Sequence, residues 1–80
     1  METRIKDMRT DHDLSQEEVA KAIGITQRKY SYLETGVQDW TDELLVKLAK
    51  FYHTSVDYLL KLTDDPRPYS RKKHHRRKMP

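Results

Sequence analysis

Apolar residues recur at helical spacing from residue 5 to about residue 62, and no alternating strand pattern interrupts them. The clearest stretch is 14–36, LSQEEVAKAIGITQRKYSYLETG, which predicts two short helices joined by a tight turn. Ser15 and Glu18 form an S-x-x-E capping box, and Leu14 and Val19 are spaced as a hydrophobic staple across it. Gly24 supplies a backbone able to leave the first of these helices at positive φ, Thr26 caps the second, and Gly36 ends it. Val19, Ala20 and Ile23 share one face, Ile25 sits in the turn, and Tyr30 and Leu33 face inward from the second helix. At about 100° per residue, the opposite face presents Arg28, Tyr32 and Thr35, with Gln27 and Ser31 beside it.

Three further helices frame this pair. The first covers about 3–10, with Ile5 and Met8 inward and Arg4, Lys6 and Asp7 solvated. Asp13 and His53 follow the first and fourth helices, and both residue types tolerate left-handed geometry. The fourth helix starts at Thr41, with Asp42 and Glu43 in its positive first turn and a Trp40–Leu45 staple. Its stripe of Leu44, Leu45, Leu48, Ala49, Phe51 and Tyr52 is wide enough to make it the main core helix. The fifth begins at Ser55, buries Val56, Leu59 and Leu60, and is stopped by Asp64-Asp65-Pro66 and Pro68. The expected organisation is all-α: a helical domain over 1–65, with its central helix pair at 15–35, and a basic tail over 66–80 that is disordered in isolation.

Composition narrows the function. The chain has no cysteine, hence no disulfide framework and no thiolate chemistry. No apolar run reaches spanning length and METRIKDMRTDHD has no apolar centre, so a soluble cytoplasmic protein with no membrane partner is expected. His12, His53, His74 and His75 lack partners at ligand spacing, so no metal is expected. No phosphate-cradling glycine loop or nucleophile motif supports an enzyme, a cofactor or a small-molecule ligand. The charge is unevenly divided. Residues 1–66 carry nine Lys/Arg against all 13 acidic residues, a net of −4, while 67–80 carry seven Lys/Arg and no acid, giving the total of +3. An acidic body is unusual for a reader of polyanions.

Gln16, Ala20, Gly24, Ile25, Leu33, Glu34 and Gly36 stand where lambda-repressor-like (Cro/cI or Xre type) helix-turn-helix proteins keep those residue types, and the likeness runs from about Arg4 to Leu60. The resemblance implies a five-helix lambda-repressor-like DNA-binding domain and a small transcriptional regulator, a repressor, that binds double-stranded DNA as a homodimer at the nucleoid. It implies that Thr26, Gln27, Arg28 and Tyr32 approach base edges and that Gln16, Lys29, Ser31 and Thr35 lie near phosphates. Glutamine can pair bidentately with adenine and arginine with guanine, each good pair giving about 1–3 kcal/mol of discrimination. It also implies an ion pair between Arg9 and Glu34. The two-fold contact is expected in 44–60, with Tyr58 and the exposed edge of the fifth helix as candidates.

Each reading has a plainer competitor. The 26–35 face can be an ordinary solvated helix surface, and Gln16 merely the polar first residue of a capped helix. The loop 36–40, GVQDW, has no base where relatives often carry Lys or Arg, so the family's usual phosphate contacts there are missing. Arg71, Lys72, Lys73, Arg76 and Arg77 can replace them, or can simply keep the chain soluble. The alternative at the level of function is a protein-interaction module on the same fold, supported by the acidic body and by Tyr30 and Tyr32 near the exposed helix. A third reading is an RNA-associated protein acting through the tail.

Overall fold

Hydroxyl side chains begin four of the five helices in the computed structural model, which describes residues 2–68. The helices are α1 (Ile5–Asp11), α2 (Gln16–Ala22), α3 (Gln27–Thr35), α4 (Asp42–Tyr52) and α5 (Val56–Leu59), and no strand occurs among the described residues. Ser15, Thr26, Thr41 and Ser55 accept bonds from the amides of Glu18, Lys29, Leu44 and Tyr58 at 3.0–3.2 Å. Each satisfies one amide that the helix leaves without a partner. The Ser15 box is closed reciprocally, with the Glu18 carboxylate 2.8 Å from the Ser15 amide. Of the tail expected over 66–80 only 66–68 is described, and there Pro66 and Arg67 are hydrogen-bonded; the rest, and with it Arg71, Lys72, Lys73, Arg76 and Arg77, lies outside the described residues.

The helix ends repeat one device. Asp13, Gly24, His53 and Lys61 all have positive φ, and the amide of the next residue reaches the carbonyl five back: Leu14 to Arg9, Ile25 to Ala20, Thr54 to Ala49 and Leu62 to Asp57, at 2.8–3.0 Å. This closure satisfies orphan carbonyls and turns the chain sharply. Only one of the four carries glycine, so three side chains are held in a conformation that disfavours them. Lys61 is the one the sequence concealed. It ends the last helix at Leu59, ahead of the Asp64-Asp65-Pro66 stop that composition suggested.

Ile5, Val19, Ala20, Ile23, Tyr30, Leu33, Leu44, Leu45, Leu48, Ala49, Tyr52 and Leu59 form one buried cluster. α4 supplies five of them, which makes it the central helix. Met8, Leu14, Ile25, Trp40, Val56 and Leu60 are half-buried around it, so Val56 and Leu60 belong to the core's margin and not to its centre. Phe51, expected within the α4 stripe, is exposed. At about 100° per residue it falls beyond Leu44, on the edge of the stripe, and packs edge-on against Tyr52 at 4.9 Å.

Arg4, expected to be solvated, is instead the clasp between the two ends. Its Nε donates to the Tyr58 carbonyl at 2.9 Å, its Nη2 to the Thr63 carbonyl at 3.2 Å, and its own amide to the Leu59 carbonyl at 2.8 Å. The guanidinium also lies 4.3 Å from the centroid of the Tyr58 ring. Its pair with Asp64 is solvent-exposed and adds little. Thr54, buried in the connection between α4 and α5, donates to the Pro66 carbonyl at 2.6 Å, so the segment after α5 is tied to that connection as well.

Candidate nucleic-acid interface

α2, the turn at Gly24 and α3 make the helix-turn-helix, with α3 seated by Tyr30 and Leu33. Burying those two residues forces the rest of α3 outward. Thr26, Gln27, Arg28, Lys29, Tyr32 and Thr35 are all exposed, and Ser31 is half-buried. Among the described residues, no hydrogen bond or ion pair engages the side chains of Gln27, Arg28 or Lys29. Thr26 accepts the Lys29 amide and keeps its own hydroxyl proton for another acceptor. Thr35 differs: its hydroxyl donates to the Ser31 carbonyl at 2.8 Å. In that rotamer it has no proton for a phosphate, which can only accept.

What holds α3 is a polar knot that the sequence only hinted at. The Glu34 side chain, 4 % exposed, is gripped by Arg9 in a bidentate pair: Nε to Oε2 and Nη2 to Oε1, both 2.9 Å. Arg9 also donates from Nη1 to the Leu14 carbonyl at 3.0 Å, fixing the α1–α2 loop. The Tyr30 hydroxyl donates to Glu34 Oε2 at 2.7 Å, and Gln16 Nε2 to Glu34 Oε1 at 3.1 Å. The four lone-pair sites of the carboxylate are thus filled by four donors from α1, α2 and α3.

The titration behaviour follows. Burial pushes the Glu34 carboxyl up, but the bonds from Arg9, Tyr30 and Gln16 outweigh it and hold the group below its ordinary range. Arg9 is raised chiefly by its hydrogen bond to Glu34. Tyr30 is raised by burial first and by its donation to the carboxylate second. Burial alone accounts for most of the rise of Tyr52, which is pushed up to about 12.

The Tyr30–Glu34 contact spans one helical turn, so its i, i+4 spacing was available in the sequence, whereas the Gln16 contact needs the tertiary fold. Trp40 stacks edge-on against Tyr30 at 5.9 Å, so both aromatics pack. Tyr58 is half-buried with one ring face under Arg4. Val37, in the loop after α3, is exposed.

Two capped helices across a left-handed turn, the second offering an unengaged polar face, define a helix-turn-helix module. The chain belongs to the helix-turn-helix family, of the lambda-repressor-like (Cro/cI, Xre) type: the family model matches residues 5–59. The chain is similar to the uncharacterized HTH-type transcriptional regulator YobD of Bacillus subtilis, at 39 % identity over 89 % of this chain and 63 % of that one. It is also similar to the cryptic phage CTXphi transcriptional repressor RstR of Vibrio cholerae, at 41 % identity over 72 % of this chain and 52 % of the relative. An uncharacterized HTH-type transcriptional regulator of Methanocaldococcus jannaschii is 31 % identical over 81 % of this chain and 98 % of its own length. The chain therefore spans a little over half the length of the first two relatives. No solved structure matches it. Among the described residues, no helix is long and apolar enough to cross a membrane.

Proposed function

We propose that this chain is a sequence-specific double-stranded DNA-binding transcriptional regulator, acting in the cytoplasm as a repressor and without catalytic activity. The observation that carries the reading is the free outer face of α3, where Gln27, Arg28 and Tyr32 stand exposed on a helix braced from below. The relatives' description as transcriptional regulators, and one as a repressor, supports it. In this reading α3 enters the major groove by its amino-terminal turn. Thr26, Gln27, Arg28 and Tyr32 meet base edges; glutamine suits adenine, arginine suits guanine, and the Tyr32 ring offers apolar area. Gln16, Lys29 and Ser31 meet phosphates and set the register. Arg71, Lys72, Lys73, Arg76 and Arg77 add sequence-independent attraction to a body whose own charge is negative. A homodimer would set two such helices about 34 Å apart, one helical turn, over a palindromic site.

The deciding experiment incubates the chain with random duplexes at moderate salt and sequences the retained fraction. Enrichment of a roughly palindromic motif is expected. A folded chain that enriches nothing overturns the reading in favour of a protein-interaction module.

A further inference from the structure

Of the four donors on the Glu34 carboxylate, three belong to the interior and one to the surface: the half-buried Gln16 amide at the start of α2. An ionised carboxylate can only accept, so Gln16 must turn Nε2 and not Oε1 toward it. The amide plane is then fixed, leaving the second Nε2 hydrogen free, since no other bond engages that side chain among the described residues. A free glutamine at a helix surface samples many rotamers, and any contact it makes must first lose that freedom. Here the selection is made before a ligand arrives, by a group that is itself held on both oxygens. Glu34 sits on α3, so the same carboxylate ties the amide on α2 to the helix that carries Gln27 and Arg28.

We propose that Glu34 is a positioning residue for DNA binding: it presents the Gln16 amide to a backbone phosphate in fixed register with the base-reading end of α3. Tyr30 and Arg9 act one step behind it by keeping Glu34 ionised and still. This rests on the DNA-binding reading above and adds to it a requirement that base reading does not have, a coupling between a buried acid and a surface amide.

A double-mutant cycle tests it, with affinities for the duplex enriched from the random pool read at fixed salt and below the melting range of the weakest variant. Gln16→Ala is expected to lower affinity about tenfold, the usual effect of losing a hydrogen bond to a charged group. The salt slope should stay unchanged, because glutamine carries no charge. Arg9→Met with Glu34→Leu removes the acceptor but leaves net charge the same, so long-range attraction to the duplex is preserved. That pair should weaken binding several-fold when residue 16 is Gln and leave it unchanged when residue 16 is Ala. Tyr30→Phe, which deletes only one donor, should give a smaller loss with the same dependence on Gln16, and it decides the matter if the double variant does not fold. Equal losses in both backgrounds would overturn the proposal and reduce Glu34 to a structural brace. A Gln16→Ala variant that binds normally, while Arg28→Ala does not, would overturn it and leave base reading standing. If no duplex is enriched at all, both readings fall.

Discussion

Replacing Glu34 with Ala should destabilise the domain as much as truncating a core side chain does, and the reason is what it leaves behind. The Arg9 side chain is 13 % exposed and its guanidinium lies against Glu34, so deletion of the carboxylate strands Nε and Nη2 and removes the acceptors of Tyr30 and Gln16. Breaking a buried pair by removing one partner costs about 3–5 kcal/mol, mostly the uncompensated charge. A domain of this size is stable by only about 0.05–0.15 kcal/mol per residue, so the loss takes most of its margin. At about 4–8 °C per kcal/mol, the melting temperature should fall by more than about 12 °C in a thermal scan followed by circular dichroism. Arg9→Met with Glu34→Leu should recover most of that loss, since no charge is then stranded. The gap between the wild type and Glu34→Ala should also depend on pH. Glu34 is held below its ordinary value of 4.5, so its contribution is present above that pH and is lost as pH falls through the lower folded value. A melting temperature within a few degrees of the wild type, or a double variant no better than the single one, would refute the stranded-charge account.

Other consequences are quicker to state. Arg28→Ala should cost about 1–3 kcal/mol against the enriched duplex and far less against random duplex in a titration, and equal losses would end its base-reading role. Removing 67–80 should flatten the dependence of log affinity on log salt by about 0.9 for each phosphate the tail neutralises; an unchanged slope would make the tail a bystander. Alkali should destabilise the domain. Tyr30 and Tyr52 are both raised above their ordinary 10.0, Tyr52 to about 12, so their contribution is complete below pH 10 and is lost as pH rises through the folded values. Tyr30→Phe should therefore melt with a shallower decline above pH 10 than the wild type, and parallel declines would assign the alkaline loss to other groups.

The parts of the fold written in local chemistry were legible in the chain. Ser15, Thr26, Thr41 and Ser55 announce helix starts, Gly24 and Gly36 announce ends, and Asp13 and His53 take the left-handed geometry their types tolerate. Lys61 has no such preference. Its left-handed turn is closed locally by the bond from the Leu62 amide to the Asp57 carbonyl, and the Arg4 clasp on the carbonyls of Tyr58 and Thr63 is a tertiary contact that no local rule announces. Arg4 is hidden from a local reading as well: helical periodicity places it on the outer side of the start of α1, and only the return of residues 58–64 covers it. The exposure of Phe51 is a matter of phase. A residue at the margin of an apolar stripe is decided by its neighbours, and α4 needed no sixth core side chain. Within the candidate interface, the outward face followed from Tyr30 and Leu33 alone, while the Gln16–Glu34 contact joins residues that no local rule connects.

The negative body bears on how such a module would discriminate. Sequence-independent affinity for DNA comes from cations that release counterions, and residues 1–66 have a net charge of −4. In the proposed reading their attraction to an arbitrary duplex would accordingly be weak, and a larger share of binding would fall to Gln27, Arg28 and the fixed Gln16 amide. Those contacts tolerate little displacement, because a hydrogen bond weakens steeply outside its narrow range of length and angle. A brace with every lone pair of Glu34 occupied is therefore of most use to a module that has little general affinity to fall back on. In the proposed reading the seven Lys/Arg of 67–80 would supply general attraction, and the part that finds DNA would be separate from the part that reads it. On this view, trimming the tail should lower affinity for every duplex alike and leave the ratio of enriched to random binding unchanged. A ratio that collapses with the tail would mean that reading and attraction are not separable in this chain.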